Sequence, residues 1–318
     1  MSQQAVSAPL TAPAKRRIRS WDRPHTGWMR ARERLAWLLV APSLLVVFVV
    51  ALYPLFQTFR LSLTNARFGS TRPERYVGFA NYERLWRDDV FIDALKHTIT
   101  FTVVSVALET VLGVAIALII HSNFKGRGLV RTSMLIPWAI PTVVSSQLWK
   151  FMLNQSNGVI NDLAVRLGLM DAGDKVAWLA NTSTSLGAII AVDVWKTTPF
   201  MALLILAGLQ IIPGDVYEAA TVDGASKWKQ FWQITLPLLR PALLVALIFR
   251  TMDAFRVFDI IFVMKGAALD TISVAIYARQ TMIDEQWLGR GAAASVVIFL
   301  CIGILVVFYT RLVKVEEA

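Results

Sequence analysis

Cysteine and histidine are scarce in this chain, and the motifs of covalent chemistry are missing. Of 318 residues one is cysteine, Cys301, and three are histidine, so the sequence has no intrachain disulfide and no spacing typical of a metal cluster. It also lacks a G-x-x-x-x-G-K-[ST] phosphate loop, a nucleophile elbow and an H-E-x-x-H motif. These absences argue against an enzyme, and against a chain that cradles ATP itself.

Charged residues are few, and long apolar runs are common. Charged residues make up 17% of the chain and hydrophobic residues 56%, with a mean hydropathy of +0.54, whereas a soluble domain has about 25% charged residues. A helix needs roughly 20 apolar residues to cross a bilayer, and it satisfies its own backbone groups there. The sequence therefore predicts an all-α polytopic membrane protein, a permease-like domain over 36–312 with six transmembrane helices. The predicted spans are 36–58, 97–121, 131–153, 186–209, 238–263 and 292–312.

The net charge of +10 is concentrated in two segments. Residues 1–35 hold eight lysines and arginines against two acidic residues, and the loop 122–131 holds three basic residues and no acidic one. This distribution argues against nucleic-acid binding, and positive-inside bias places both segments in the cytoplasm. Six spans then put the C-terminal tail 313–318 and the loop 213–237 on the same side. We expect residues 1–20 to be disordered, and the apolar run that follows is too long for a cleavable signal.

The loop 213–237 has its own local signals. Asp215 and Glu218 fit an N-terminal capping box, with Glu218 at its third helical position, and Gly224 is a natural residue just past a helix end. A second amphipathic turn follows, with aromatic residues at helical spacing. This geometry suits a protrusion inserted into a partner's groove, and it also suits an ordinary interfacial helix-turn-helix. The aromatic residues are Trp228, Phe231 and Trp232.

The same stretch, EAATVDGASKWKQFWQITLP (218–237), resembles the EAA loop of the membrane subunits of ATP-binding-cassette (ABC) importers. The resemblance implies a short cytoplasmic helix that docks into a cleft on a separate ATPase subunit. It also implies that the chain forms half of a transport path, binds no cofactor, and leaves ATP and Mg²⁺ to that partner. The implied ATPase-coupling residues are Glu218, Ala219, Ala220, Asp223 and Gly224.

The resemblance extends over nearly everything after residue 35. YVGFANYERL (76–85), the stretch 135–161, VWKTTPFMALLILAGLQIIPGDVYEAA (194–220) and FRTMDAFRVFDIIFVM (249–264) are similar to F-type permeases of carbohydrate importers, closest to the trehalose and maltose type. One departure is KGAALD (265–270), where the family often has a Thr-Gly-Gly-Gly-Pro turn. The implied fold is that of a type I ABC importer permease in the bacterial cytoplasmic (inner) membrane, with both termini cytoplasmic. The implied partners are a second homologous permease, two ATPase subunits, an extracytoplasmic sugar-binding protein and the sugar.

Ionisable residues inside the predicted spans are candidates for function, because a charge in a membrane is costly. Those of the fifth span are three residues apart with alternating sign, so neighbours can neutralise one another, although all four cannot share one face of a helix. Together with aromatic residues they suit either a sugar site or a self-compensated helix packed against the other permease. Glu109, alone in span 2, is interpreted as hydrogen-bonded within the bundle. The substrate-pathway candidates are Arg250, Asp253, Phe255, Arg256, Phe258, Asp259, Asp193, Trp195 and Lys196.

Two alternatives to a carbohydrate importer stay open on the sequence, one of them within the ABC class. A single-chain secondary transporter usually shows internal repeats with broken helices, and no duplication is visible between 36–153 and 186–312. An importer for another solute, such as glycerol phosphate, would favour an unbalanced basic cluster near the midplane, whereas the charges of span 5 are balanced.

Overall fold

The computed structural model describes residues 27–71 and 73–314. The stretch predicted to be disordered, 1–20, and residues 315–318 of the predicted tail lie outside the described residues. In the described part no strand occurs, and an isolated antiparallel bridge joins Thr64 to Tyr76. The prediction of an all-α protein is therefore confirmed.

The described residues contain fifteen α-helices and three single π turns, joined by loops. The π turns are Phe48–Leu52, Phe231–Thr235 and Gln280–Asp284. The α-helices are α1 Gly27–Val47, α2 Tyr53–Ser62, α3 Ala80–Trp86, α4 Asp89–His121, α5 Arg127–Met134, α6 Ile136–Ala139, α7 Thr142–Met152, α8 Val159–Arg166, α9 Thr182–Leu209, α10 Gly214–Val222, α11 Lys227–Gln230, α12 Leu236–Phe255, α13 Asp259–Lys265, α14 Val274–Arg279 and α15 Leu288–Lys314.

Five helical stretches of the described chain are long and apolar enough to cross a membrane. They correspond to the first, second, fourth, fifth and sixth predicted spans. Their bounds are Arg32–Ser62, Asp89–His121, Thr182–Leu209, Lys227–Lys265 and Leu288–Arg311.

The predicted third span, 131–153, is not a single helix but the succession α5, α6 and α7. Two prolines explain the interruptions. Pro137 has no backbone N–H to donate, and Pro141 disfavours a helical conformation of the residue before it. Ile140 accordingly adopts an extended backbone, with φ −72° and ψ 131°. The third span is therefore interrupted, and tertiary contacts, described below, satisfy the freed backbone groups.

The predicted fifth span, 238–263, is also broken. Helix α12 ends at Phe255, and α13 begins at Asp259 after three non-helical residues. The freed carbonyl of Val257 accepts a hydrogen bond of 2.7 Å from the Ser273 hydroxyl. The four charged residues of this span therefore do not lie on one continuous helix. Arg256 is in the break and Asp259 begins the next helix, so helical spacing does not relate them to Arg250.

The core of the bundle is formed by α4, α9 and α12, which pack closely through small residues. A Cβ on Gly113 of α4 would lie 2.8 Å from Cγ of Met201 on α9. A Cβ on Gly208 of α9 would lie 2.3 Å from Cβ of Ala242 on α12. Small residues are what allow helix backbones to approach in a membrane, so these two glycines set the spacing of the three helices that carry the candidate site.

Candidate functional site

The segment between α9 and α12 forms a compact hairpin, residues 214–235, which we call the α10–α11 hairpin. Helix α10 ends in a Schellman motif: Gly224 has φ +74°, its N–H donates to Thr221 O at 3.1 Å, and Ala225 N–H donates to Ala220 O at 2.9 Å. Glycine adopts positive φ without a steric penalty. The predicted role of Gly224 as the residue just past the helix end is confirmed.

The predicted capping box is wrong. Helix α10 begins at Gly214 with Pro213 in the N-cap position, and no side chain caps it. Pro213 already has the extended conformation of an N-cap, with φ −63° and ψ 138°, so the helix starts one residue before Asp215 could cap it. Glu218 is thereby left exposed.

Buried hydrogen bonds hold the hairpin together and tie it to the start of α12. Gln230, 3% exposed, donates through Nε2 to Thr221 Oγ1 at 3.1 Å and to Ala225 O at 3.0 Å. The hydroxyls of Tyr217 and Thr235 lie 3.0 Å apart in a second link. A displacement of α10 would therefore be carried into α12 rather than absorbed in the turn.

The two faces of α10 differ in exposure. Ala220 is buried, whereas Glu218, Ala219, Asp223 and Gly224 are exposed. Val222 on the same outer face is 88% exposed. The outer face thus offers small residues, an apolar tip and acidic groups, while the inner face packs on the hairpin's own interior.

Three aromatic rings from α11 and the π turn after it pack together, as their spacing predicted. The centroids of Phe231 and Trp232 lie 5.1 Å apart, and those of Trp228 and Trp232 lie 5.6 Å apart. Trp228 remains 72% exposed. The cluster therefore gives the second half of the hairpin a broad apolar surface.

A charge cluster of Glu109, Asp193, Arg250 and Asp253 joins α4, α9 and α12. Arg250 donates through Nε and Nη2 to the two carboxylate oxygens of Glu109, the latter at 2.9 Å, and through Nη2 to Asp193. Its Nη1 donates to Asp253 Oδ2 at 3.0 Å. Thr197 Oγ1 adds a hydrogen bond of 2.6 Å to Glu109. One guanidinium thus satisfies carboxylates from three helices.

Burial divides this cluster into an inner and an outer part. The side chains of Arg250 and Glu109 are 2% and 0% exposed, and that of Asp193 is 10% exposed, whereas Asp253 is 69% exposed. Removing the partner of a buried charge is strongly destabilising. The inner three groups therefore fix the helices to one another, while Asp253 keeps an oxygen available to a ligand.

Lys196 satisfies a free backbone carbonyl at the break before α7. It is buried, and its Nζ donates to Ile140 O at 2.6 Å, the carbonyl freed by Pro141. Irregular backbone at membrane depth is tolerated only where protein or a cavity satisfies it. Asp193 and Lys196, both named above as pathway candidates, are thus buried between helices.

The break after α12 opens on a cavity of about 150 Å³. Exposed Asp253, Arg256 and Asp259, together with half-buried Phe258, line its wall beside the buried Arg250 group. This volume lies below the roughly 300 Å³ lower end of small-molecule sites. One chain therefore presents part of a binding surface rather than a complete site.

The remaining pathway candidates lie apart from this cavity. Phe255 is 5% exposed and lines a different, apolar cavity with Tyr309. Trp195 packs edge-on against Trp149, with ring centroids 5.3 Å apart. The structure does not bring these two aromatic residues together with the charged group.

The turn at 265–270, where KGAALD replaces the usual glycine-rich sequence, is closed by an ion pair. Lys265 donates to Asp270, which also accepts a hydrogen bond of 2.9 Å from Ser185 Oγ. Partial burial raises the pKa of Asp270, but the hydrogen bonds from Lys265 and Ser185 and the lysine charge outweigh it and hold that pKa below its ordinary value of 3.8.

Sequence reasoning missed the partnership of Arg250 with Glu109 and Asp193. It anticipated the pairing of Arg250 with Asp253 at a separation of three residues, and a hydrogen-bonded Glu109. It did not anticipate that the partner of Glu109 is Arg250, 141 positions away. The available signal was charge balance between spans: a lone glutamate in one and an arginine in another each need a counter-charge.

Comparisons with known proteins agree on one family. The family described as binding-protein-dependent transport system inner membrane component matches residues 109–315. The chain is 42% identical over 296 residues, 91% of its length and 97% of the relative's, to the trehalose/maltose transport system permease protein MalF of Thermococcus litoralis. It is 40% identical over 287 residues, 90% of its length and 91% of the relative's, to the trehalose transport system permease protein SugA of Mycobacterium tuberculosis.

A third relative is named for a different transported compound, and a solved structure has a similar fold. The sulfoquinovosyl glycerol transport system permease protein SmoG of Agrobacterium fabrum is 35% identical over 295 residues, 92% of this chain and 94% of that one. A chain from the crystal structure of a bacterial ABC transporter involved in the import of the acidic polysaccharide alginate superposes with a TM-score of 0.78 at 24% identity, covering 90% of this chain and 98% of that one.

The spans and the hairpin define a multi-pass membrane transport component. The chain belongs to the binding-protein-dependent transport system inner membrane component family. It is an ABC importer permease subunit with the type I permease fold, and ATP hydrolysis is the work of a separate ATPase.

Proposed function

We propose that the chain is the permease subunit of a carbohydrate importer in the bacterial cytoplasmic membrane, and that its cargo is a disaccharide of the trehalose or maltose type. Relatives named for trehalose and maltose transport are about 40% identical over nine-tenths of the chain. One more distant relative is named for a different sugar conjugate, so the particular sugar is the finer part of the proposal.

The observation that carries the mechanism is the position of α12. Its first residue follows directly on the α10–α11 hairpin, and its last two turns bear Arg250 and Asp253. Twenty residues at 1.5 Å each span about 30 Å, the thickness of the hydrocarbon core. A push on the hairpin at one membrane surface would therefore be delivered, through one helix, to the charged break at the other end.

In this mechanism the outer face of α10 is the ATPase contact. The exposed docking surface consists of Glu218, Ala219, Asp223 and Gly224. Ala220 packs inward and holds α10 against the rest of the hairpin. Closure of the ATPase dimer on ATP and Mg²⁺ moves the helix, and the hydrogen bonds of Gln230 and Thr235 pass the motion to α12. This chain itself binds no nucleotide.

The exposed residues at the α12–α13 break are the proposed sugar contacts. Asp253 and Asp259 accept hydrogen bonds from sugar hydroxyls, Arg256 donates them, and Phe258 offers an apolar face. Arg250, Asp193 and Lys196 are positioning residues that hold this surface. Trp195 and Phe255, which lie apart from the break, support neighbouring helices along the path.

The proposed assembly contains a second homologous permease, two copies of the ATPase and an extracytoplasmic sugar-binding protein. The second permease supplies the other half of the cavity, which explains why the volume in one chain is small. The N- and C-termini and the α10–α11 hairpin face the cytoplasm, in agreement with the basic segments 1–35 and 122–131. Liganded binding protein favours the outward-facing state through differential affinity.

Copurification and uptake test the proposal together. The tagged chain is purified from native membranes in mild detergent, its partners are identified by mass spectrometry, and the complex is reconstituted for ATP-dependent uptake of labelled trehalose and maltose. An ATPase, a second permease and uptake of one of the disaccharides are expected. Recovery of the chain alone, still active in transport, would instead indicate a secondary carrier.

The second candidate is an ABC permease for an anionic solute, such as glycerol phosphate or a sulfonated sugar conjugate, which the 35% identical relative favours. The charges at the cavity argue against it. The exposed groups are two carboxylates and one guanidinium, and the buried Glu109, Asp193, Arg250 and Lys196 cancel. A neutral sugar meets no net repulsion there, whereas an anion does.

A further inference from the structure

A cavity of about 550 Å³ lies against the inner side of the α10–α11 hairpin, apart from the charged break. It is bounded by the ends of α4 and α9 and by α11 with the π turn that follows. Its wall is mostly apolar, with Leu118, Leu209, Trp228 and Phe231, and its polar members include His121 and Lys227. The cavity is within the roughly 300–1,000 Å³ range of ligand sites.

Cationic groups gather beside this cavity without acidic partners. Arg127 and Arg131, one turn apart on α5, both act electrostatically on His121 in the cavity wall. In the part of the chain that the structure describes, neither arginine forms an ion pair, and Arg127 bonds through Nη1 to the neutral amide of Asn123 at 3.2 Å. The loop 122–131 has a net charge of +3.

Several nitrogens of this group are buried and have no hydrogen-bond partner. They are Nε of Arg127, Nε and Nη2 of Arg131 and Nδ1 of His121. A buried donor without a partner is costly, and guanidinium groups match the geometry of phosphate oxygens. The unpaired donors therefore suit the binding of an anionic group at this position.

The apolar part of the site indicates what the anion is attached to. A free phosphate would gain nothing from Trp228, Phe231, Leu118 and Leu209, whereas an acyl chain would bury them. Basic pockets between helices at a cytoplasmic membrane surface suit anionic lipid headgroups.

We propose that this cavity binds one anionic phospholipid, whose phosphate is held by Arg127, Arg131 and Lys227 and whose acyl chain lies along Trp228 and Phe231. The inference rests on the proposed function for one point only, that the hairpin faces the cytoplasm. A lipid in this place would buttress the hairpin from the membrane side and leave the outer face of α10 free for the ATPase.

Native mass spectrometry of the purified complex tests the site. The complex is delipidated in detergent and given palmitoyl-oleoyl phosphatidylglycerol or the matching phosphatidylcholine. The wild-type complex is expected to retain phosphatidylglycerol preferentially. Each lost charge should weaken retention about fivefold, so that K227Q/R131Q loses about 25-fold.

Two matched variants separate charge from folding. Lys229, on the same short helix but outside the cavity wall, provides the control K229Q, whose lipid retention should equal wild type. K227R/R131K keeps both charges and should retain the lipid even where the double glutamine variant assembles poorly.

Equal retention of the two lipids by wild type, or unchanged retention by K227Q/R131Q, would overturn the proposal. Displacement of phosphatidylglycerol by inorganic phosphate at equal concentration would overturn it in favour of a soluble anion. Loss of the ATPase from the double variant with unchanged lipid retention would assign the basic group to a protein contact. None of these readouts uses a sugar, so a wrong sugar assignment leaves the test intact.

Discussion

Replacement of Arg250 by methionine should destabilise the bundle severely. Arg250 and Glu109 are 2% and 0% exposed, and Arg250 also contacts Asp193. Methionine keeps the apolar stem of the side chain but removes the charge shared by the two carboxylates. Removal of one partner of a buried pair costs about 3–5 kcal/mol because the other charge stays buried and uncompensated. We therefore expect R250M to lower the free energy of unfolding by about that amount.

A compensating variant distinguishes lost charge from lost packing. In E109Q/D193N/R250M the two carboxylates become amides of the same shape, which carry no charge to be compensated. Replacement of a whole buried ionic group is often close to neutral, so we expect the triple variant to recover at least about 2 kcal/mol relative to R250M. D253N is the control, since Asp253 is largely exposed and exposed pairs contribute about 0–1 kcal/mol.

Reversible unfolding of the purified chain by a titration of SDS in mixed micelles measures the four proteins side by side. The expected order of stability is wild type, D253N, the triple variant and R250M. Two results would refute the reasoning: R250M within about 1 kcal/mol of wild type, or a triple variant that unfolds no later than R250M. Either would mean that the charge cluster is not what fixes α12 to α4 and α9.

Three further changes test other parts of the account. G224D should insert and assemble yet uncouple ATP hydrolysis from uptake, because it adds a negative charge to the proposed docking surface at a position with φ +74°. Asn and Asp both tolerate this conformation and have nearly the same shape, so the neutral G224N should retain more coupling. Normal uptake by G224D would contradict the docking role. D253A should reduce sugar uptake at least about tenfold without loss of assembly, and failure to assemble would mean a structural role. The pKa of Asp270 is lowered, so its ionised carboxylate stabilises the fold above pH 3.8, and this stabilisation is lost as the pH falls further. D270N should therefore reduce the dependence of the unfolding free energy on pH at the acid end. An unchanged slope would mean that this ion pair does not contribute.

The fold class and the helix ends with strong local signals could be predicted from the sequence. Apolar length decides what crosses a bilayer, and Gly224 fixes a helix end because its backbone conformation excludes most other residues. Both depend on neighbours in the chain. The predicted capping box was wrong because of another local signal: Pro213 takes the N-cap position, so the helix begins at Gly214.

The form of the breaks in the third and fifth spans could be predicted only in part, because it depends on distant partners. Pro137 and Pro141 marked a weak point, but a proline in a membrane helix can also leave only a kink. What stabilises the interruption is Lys196, which donates to Ile140 O from 56 positions away. The break after Phe255 contains no proline, and the hydroxyl of Ser273, the N-cap residue of α14, satisfies the freed carbonyl of Val257.

The division of the charged residues into buried and exposed groups was likewise out of reach. Spacing along α12 related Arg250 to Asp253 but said nothing of Glu109 and Asp193, which come from two other helices. Pairing across a bundle depends on helix rotation and depth, which one sequence does not specify. The comparison of burial is what separates positioning residues from candidate sugar contacts.

Site-specific cross-linking from the tip of α10 tests the central claim, that the α10–α11 hairpin docks on an ATPase. The single native cysteine is replaced in C301S, and a new cysteine is placed either at Val222, 88% exposed, or at Phe79, 76% exposed and in the loop expected outside. In native membranes V222C should cross-link to an ABC ATPase subunit identified by mass spectrometry, and F79C should not. Equal cross-linking from both positions, or none from Val222 in membranes that still take up the sugar, would contradict the account.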